Sequence, residues 1–132
     1  MSVREIIERH PRPISADHDL LLRCIEECFD CSATCTGCAD ACLGEPSVSE
    51  LVRCVRLCSD CADVCHTVGR VVTRQTEVDT GVVRAALEAC VAACRASGDE
   101  CERHAPHHDH CRVCAETCRR CEQACTDLLA SM

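Results

Sequence analysis

Along this chain the positions that should carry ordinary hydrophobic side chains carry cysteine instead. The first group is Cys24, Cys28, Cys31, Cys35, Cys38 and Cys42, spaced 4, 3, 4, 3 and 4 residues apart. The second, Cys54, Cys58, Cys61 and Cys65, is spaced 4, 3 and 4. The third, Cys90, Cys94 and Cys101, has Ser97 at the position that would complete the rhythm. The fourth, Cys111, Cys114, Cys118, Cys121 and Cys125, is spaced 3, 4, 3 and 4. Residues on an α-helix advance by about 100° each, so steps of three and four return to one face. Four amphipathic helices are therefore predicted, each with a thiol seam. Between the cysteines lie Ala, Arg, Glu, Asp and Thr, which suit helix interiors and solvent.

The punctuation agrees. Ser15 or Asp17 can cap the first helix after Pro11 and Pro13, and Gly44 is suited to follow its end. Ser47 with Glu50 reads as a capping box for the second helix. Thr76 to Thr80 with Gly81 marks the next break, and Pro106 sits between the third and fourth helices. Connections this short favour antiparallel neighbours. The fold class expected is all-α: an antiparallel up-down-up-down four-helix bundle over residues 15–132, one domain. Residues 1–14, with Val3, Ile6 and Ile7, predict a short N-terminal helical extension across its outside.

Composition turns this odd pattern into a chemical one. Leu, Ile, Val and Phe make up about a fifth of the chain, near the fraction below which charged chains stay disordered. Trp and Tyr are absent, and 18 of 132 residues are Cys. Either the cysteines build the core or there is barely one. A net charge of −8 and a pI near 5.3 argue against nucleic acid, since phosphate binding needs a basic face. No apolar run reaches membrane-span length, and the N-terminus has neither an apolar export signal nor twin arginines. The thiols are thus expected in the reducing cytoplasm, where so many cysteines point to metal rather than disulfides.

A thiol core is poorer at filling space than Leu or Val, so something is meant to occupy it. Helix-face neighbours at i, i+3 and i+4 do not have disulfide geometry. Soft thiolates suit Cu(I), zinc and iron–sulfur clusters. A zinc ion with four thiolates leaves two uncompensated negative charges, and a core full of such sites buries many at high cost. Cu(I) with one thiolate is neutral, so a core with one ion per bridging sulfur buries no net charge. The pairs Cys24/Cys28, Cys54/Cys58, Cys90/Cys94 and Cys121/Cys125 can clamp low-coordinate Cu(I) along one helix. Structural zinc and ferredoxin cysteines sit on loops or turns, unlike these seams. The residues thus predict many Cu(I) ions per chain. The alternatives are a thiol-redox or metal-responsive regulator and an iron–sulfur or zinc protein. No catalytic triad or glycine-rich nucleotide loop appears, so no enzyme is expected.

The two ends of the bundle differ. Beyond the cysteines the seams continue to Leu20 and Leu21, to Val68 and Val72, to Val83 and Leu87, and to Leu128, all at one end. Ordinary apolar side chains should plug that end. Loops 43–47 and 104–110 lie at the other. His104 continues the third seam, and His107 and His108 straddle the fourth, whereas His110, His66 and His18 fall off the seams. Imidazoles beside a thiolate core form an expected mouth for copper.

These seams, together with the histidines of the last turn, resemble the copper storage proteins, specifically their cytosolic bacterial branch. The resemblance spans residues 17 to 129. It implies a homotetramer of four-helix bundles, each storing many Cu(I) ions and admitting them at its histidine end. It carries the ligand role onto all eighteen cysteines and onto His104, His108 and His107. Exported members carry methionines near the mouth, whereas here the only methionines are Met1 and Met132. The expected donor is a copper chaperone or a low-molecular-weight thiol, with no nucleic acid and no membrane as partner.

Overall fold

Four long helices follow from the four seams, preceded by a short one. The structure is a computed structural model and describes residues 2–132. The elements are α1 (Ser2–Glu8), α2 (His18–Leu43), a 3-10 turn (Val48–Glu50), α3 (Val52–Thr73), α4 (Thr80–His104) and α5 (Asp109–Ala130). Among the described residues no helix is long and apolar enough to cross a membrane.

Two helices start on aspartate caps. Asp17 accepts the Leu20 N–H at 3.0 Å and Asp79 accepts the Val82 N–H at 2.9 Å, each satisfying an orphan donor of a first turn. Two details of punctuation differ from expectation. Gly44 does end α2, but with φ −84°, its N–H donating to the Asp40 and Ala41 carbonyls, so no left-handed glycine is used. Ser47 makes no capping bond to α3. The segment it was expected to open is instead the 3-10 turn, and α3 begins only after Leu51, which is fully buried. Burying that side chain wins over the local capping pattern.

The cross-helix sulfur contacts fix the topology. Cys24 meets Cys125 while Cys35 meets Cys114, so α2 and α5 run antiparallel. Cys31 meets Cys61 and Cys42 meets Cys54, which orients α3 against α2. Cys65 meets Cys90 and Cys54 meets Cys101, which orients α4 against α3. Each long helix packs on its chain neighbours, and α5 closes the ring against α2. This is the up-down-up-down bundle. Outside it lies α1, anchored by buried Ile7 and by the Arg4–Glu26 ion pair at 2.7 Å.

Among the described residues only nine large aliphatic side chains are buried: Ile7, Leu21, Leu22, Ile25, Leu51, Val68, Val72, Leu87 and Leu128. Six of them, Leu21, Leu22, Val68, Val72, Leu87 and Leu128, gather at the end where α2 begins and α5 finishes, making the expected plug; Leu20 and Val83 are only partly buried. A cleft of about 230 Å³ opens over this plug, lined by Leu21, Val72, Val83, Leu128 and Met132 among others. Phe29, the single aromatic residue, lies on Gly69, where an added Cβ would come within 3.0 Å of its ring. That missing side chain lets α2 and α3 approach.

Candidate metal centre

All eighteen cysteines are buried and free, and only Cys38 shows any measurable surface, at 3%. Helix phase puts each seam inward, and the antiparallel ring stacks the seams into one column of sulfur. Neighbouring sulfurs in hydrogen-bond contact lie from 3.5 Å (Cys58–Cys101) to 4.0 Å (Cys54–Cys58) apart. These are twice a disulfide bond length, so the column is a thiol array. With a metal–thiolate bond of about 2.3 Å, three sulfurs sharing one ion stand about 4 Å apart. The spacing of the array is thus already that of soft-metal coordination. Sets of four thiols with all their sulfurs within 4.8 Å of one another recur along the column, among them Cys28/Cys90/Cys121/Cys125, Cys31/Cys65/Cys94/Cys121, Cys31/Cys35/Cys61/Cys118, Cys38/Cys54/Cys58/Cys101 and Cys38/Cys42/Cys54/Cys111. Several thiols belong to two sets, the arrangement that bridging thiolates require.

The sulfurs form a network of S–H donors and acceptors. Cys28 is pushed up in pKa chiefly by its interaction with Cys121, and Cys114 chiefly by its interaction with Cys101. Cys121 and Cys58 are pushed down, the former chiefly by Cys125 and the latter chiefly by Cys101. Nearer the histidines burial dominates. It raises Cys42, and it raises Cys111 to about 12 with help from the charges of Cys42 and Cys101. Without an incoming cation those thiols stay protonated and neutral, because an unpaired buried thiolate is costly.

The histidine end is more ordered than the sequence alone suggests. His104 is half-buried and its Nε2 faces Glu100 Oε2 at 3.2 Å. Glu100 is itself buried, and Arg103 donates to it at 2.9 Å. His108 pairs through Nδ1 with Glu45. Each carboxylate engages one ring nitrogen and leaves the other, Nδ1 of His104 and Nε2 of His108, without a partner among the described residues. A carboxylate that fixes one nitrogen as donor makes the other a better metal ligand. His107 is exposed in the turn.

His110 is the correction. Its seam phase places it off the fourth helix's inner face, yet its ring turns inward. Nδ1 lies 3.5 Å from Cys38 Sγ and 3.6 Å from Cys111 Sγ, and Nε2 is buried with no partner. Its ring stacks on that of His108, with centroids 5.6 Å apart. A column of imidazole thus runs from the rim through His108 to His110 and meets the uppermost thiols. His18 and His66 take no part; both are exposed, and His66 packs edge-on against Phe29.

Comparison with known proteins agrees with this chemistry. The profile of the copper storage protein family matches residues 17–130. Among solved structures, the chain is similar to the copper storage protein Ccsp of Streptomyces lividans loaded with 10 copper equivalents, at 51% identity over 98% of this chain and 99% of that one, with a TM-score of 0.97. It is also similar to a cytosolic copper storage protein of Streptomyces lividans described with five coppers, at 56% identity over 86% and 95% of the two chains, TM-score 0.85. A histidine-to-alanine variant of Streptomyces lividans Ccsp aligns at 55% identity over 88% and 97%, TM-score 0.87. Among curated protein sequences none matches closely enough to add to this.

Proposed function

This chain belongs to the copper storage protein family, and we propose that it stores copper in the cytosol as Cu(I), bound by all eighteen core cysteines and admitted at the histidine end. The observation that carries the reading is the column of buried free thiols at 3.5–4.0 Å contacts, with several shared between four-sulfur sets. No net charge is buried when each Cu(I) displaces one thiol proton and each sulfur bridges two ions, so filling can run the length of the column.

Cu(I) is handed by its donor, a chaperone or a low-molecular-weight thiol, to the free nitrogens of His104 and His108, with His107 at the outer edge of the turn. It then passes to His110, whose Nδ1 already faces Cys38 and Cys111. From there thiolate exchange moves it inward. No bond is made or broken in the donor other than its hold on copper, and the role is non-catalytic. The plug of Leu21, Val68, Val72, Leu87 and Leu128 closes the far end. Residues 15–132 form the storage domain with 1–14 as an appendage. The assembly is a homotetramer, which sedimentation at four times the 14.4 kDa chain mass would test.

X-ray absorption at the copper edge of anaerobically loaded protein tests the coordination. The expected shell is sulfur, with short copper–copper neighbours from bridging. A shell dominated by nitrogen or oxygen at full load would overturn the reading.

A further inference from the structure

The rhythm of thiols is broken once, at Ser97, and the structure shows what surrounds the break. Ser97 is fully buried, on the inner face of α4 midway between Cys94 and Cys101. Its hydroxyl donates toward Cys58 Sγ at 3.7 Å, accepts from Cys118 Sγ at 3.5 Å, and lies 4.0 Å from Cys35 Sγ. It therefore stands inside the column where a nineteenth sulfur would be. A hydroxyl is a hard donor that Cu(I) does not favour when thiolates are at hand.

The sulfur network narrows at this level. Toward the histidines lie Cys38, Cys42, Cys54, Cys58, Cys101, Cys111 and Cys114; the other eleven lie toward the plug. Among the described residues the one well-formed thiol–thiol hydrogen bond between the two groups is that of Cys35 with Cys114, at 3.6 Å, with weaker interactions of Cys35 with Cys58 and of Cys114 with Cys118 beside it. Cys58 is held by Cys101 and Cys114 and meets the plug side only through a weaker interaction with Cys35. On the plug side, Cys35 and Cys118 contact each other and Cys31.

We propose that Ser97 divides the store into two pools, a mouth-side pool of seven thiols and a deep pool of eleven, joined chiefly through the Cys35–Cys114 step. The proposal rests on the core being a Cu(I) store and adds its internal order. Copper on the mouth side exchanges with the outside without disturbing the deep clusters. Deep copper leaves only by crossing the neck, where a missing ligand interrupts the bridging chain.

The test is anaerobic removal of Cu(I) from the saturated full chain by excess high-affinity chelator, followed by the absorbance of the chelator complex. Total copper recovered reads the storage function itself, and the time course reads the division. The wild type should empty in two phases, the fast one carrying about two-fifths of the copper and about tenfold faster, since such differences fall mainly on dissociation. Ser97→Cys supplies the missing ligand and should raise capacity by about one ion and merge the phases. Ser97→Ala should keep both phases and the wild-type capacity. Cys114→Ser, which cuts the neck without touching Ser97, should slow the slow phase several-fold. Single-phase release from the wild type, two unchanged phases in Ser97→Cys, merged phases in Ser97→Ala, or an unaltered slow phase in Cys114→Ser would each overturn the division, even with the storage capacity intact.

Discussion

Truncation of the plug should reveal how little ordinary hydrophobic packing holds this bundle and where that packing sits. Leu87 is fully buried, and Leu128 is buried beside the cleft of about 230 Å³ that opens over the plug. Leu→Ala in a rigid core costs the transfer free energy of the lost methyls plus the cavity left behind, about 2–5 kcal/mol in total. Leu87 does not line the cleft, so its cavity is enclosed and dry, and the cost should be near the upper end, about 4 kcal/mol. Leu128→Ala only enlarges a space that is already open, so its cost should be nearer 2 kcal/mol. With a urea slope of about 2 kcal/mol per molar, the reduced metal-free protein should lose about 2 M in midpoint for Leu87→Ala and about 1 M for Leu128→Ala. Equilibrium urea unfolding followed by circular dichroism measures both. An equal or larger loss in Leu128→Ala would show that the cleft is closed in solution and that the plug seals more tightly than described. If the plug also stops copper escaping, both variants should release Cu(I) faster than the wild type under the same chelator.

Other outcomes follow from the same geometry. The metal-free reduced protein should be strongly helical, because capped helices and a weakly hydrophobic thiol core assemble without metal; a random-coil spectrum would mean that copper templates the fold. Metal-free stability should fall as pH rises from the ordinary thiol range toward about 12, because burial raises Cys42 and Cys111 and the neutral forms are what the fold favours. A raised folded pKa means this contribution is whole below the unfolded value and is lost above it. Melting curves between pH 8 and 11 should therefore decline for the metal-free protein, while a copper-loaded sample, its thiols already deprotonated, stays flat; a metal-free protein that gains stability over that range would contradict this. Replacing His104 and His108 together by Ala should change the rate of copper removal while capacity drops by at most a few ions. His110→Ala should do the same more strongly, and His18→Ala with His66→Ala should leave both unaltered. If the His18 and His66 changes alter the rate as much, the mouth lies elsewhere.

How much of this was legible in the sequence depends on the reach of each signal. Helix phase is local and repeated eighteen times over, so the seams, the antiparallel bundle and the apolar plug could be read directly. His110 could not, because a wheel projection treats a side chain as radial. At the first turn of α5 the ring swings sideways, and the partner that matters, Cys38, is on another helix. Its position immediately before Cys111, at the narrow end of the seam, was the available clue. The Glu100–His104 pair sits at i, i+4 and was open to sequence reasoning; the Glu45–His108 pair spans two loops and was not. Ser47 and Glu50 matched a capping box, but burial of Leu51 moved the helix start. Ser97 was visible as a gap in rhythm, and only the cross-helix contacts show that the gap falls at a neck.

Anaerobic titration of the fully reduced protein with Cu(I), followed by desalting and metal analysis, tests the central claim most directly. Bridging thiolates make about one ion per cysteine the natural limit, so retained copper should level off near the 18 cysteines of the chain. Retention of only about four ions, as isolated four-thiolate sites would give, or preferential retention of zinc or iron, would contradict it.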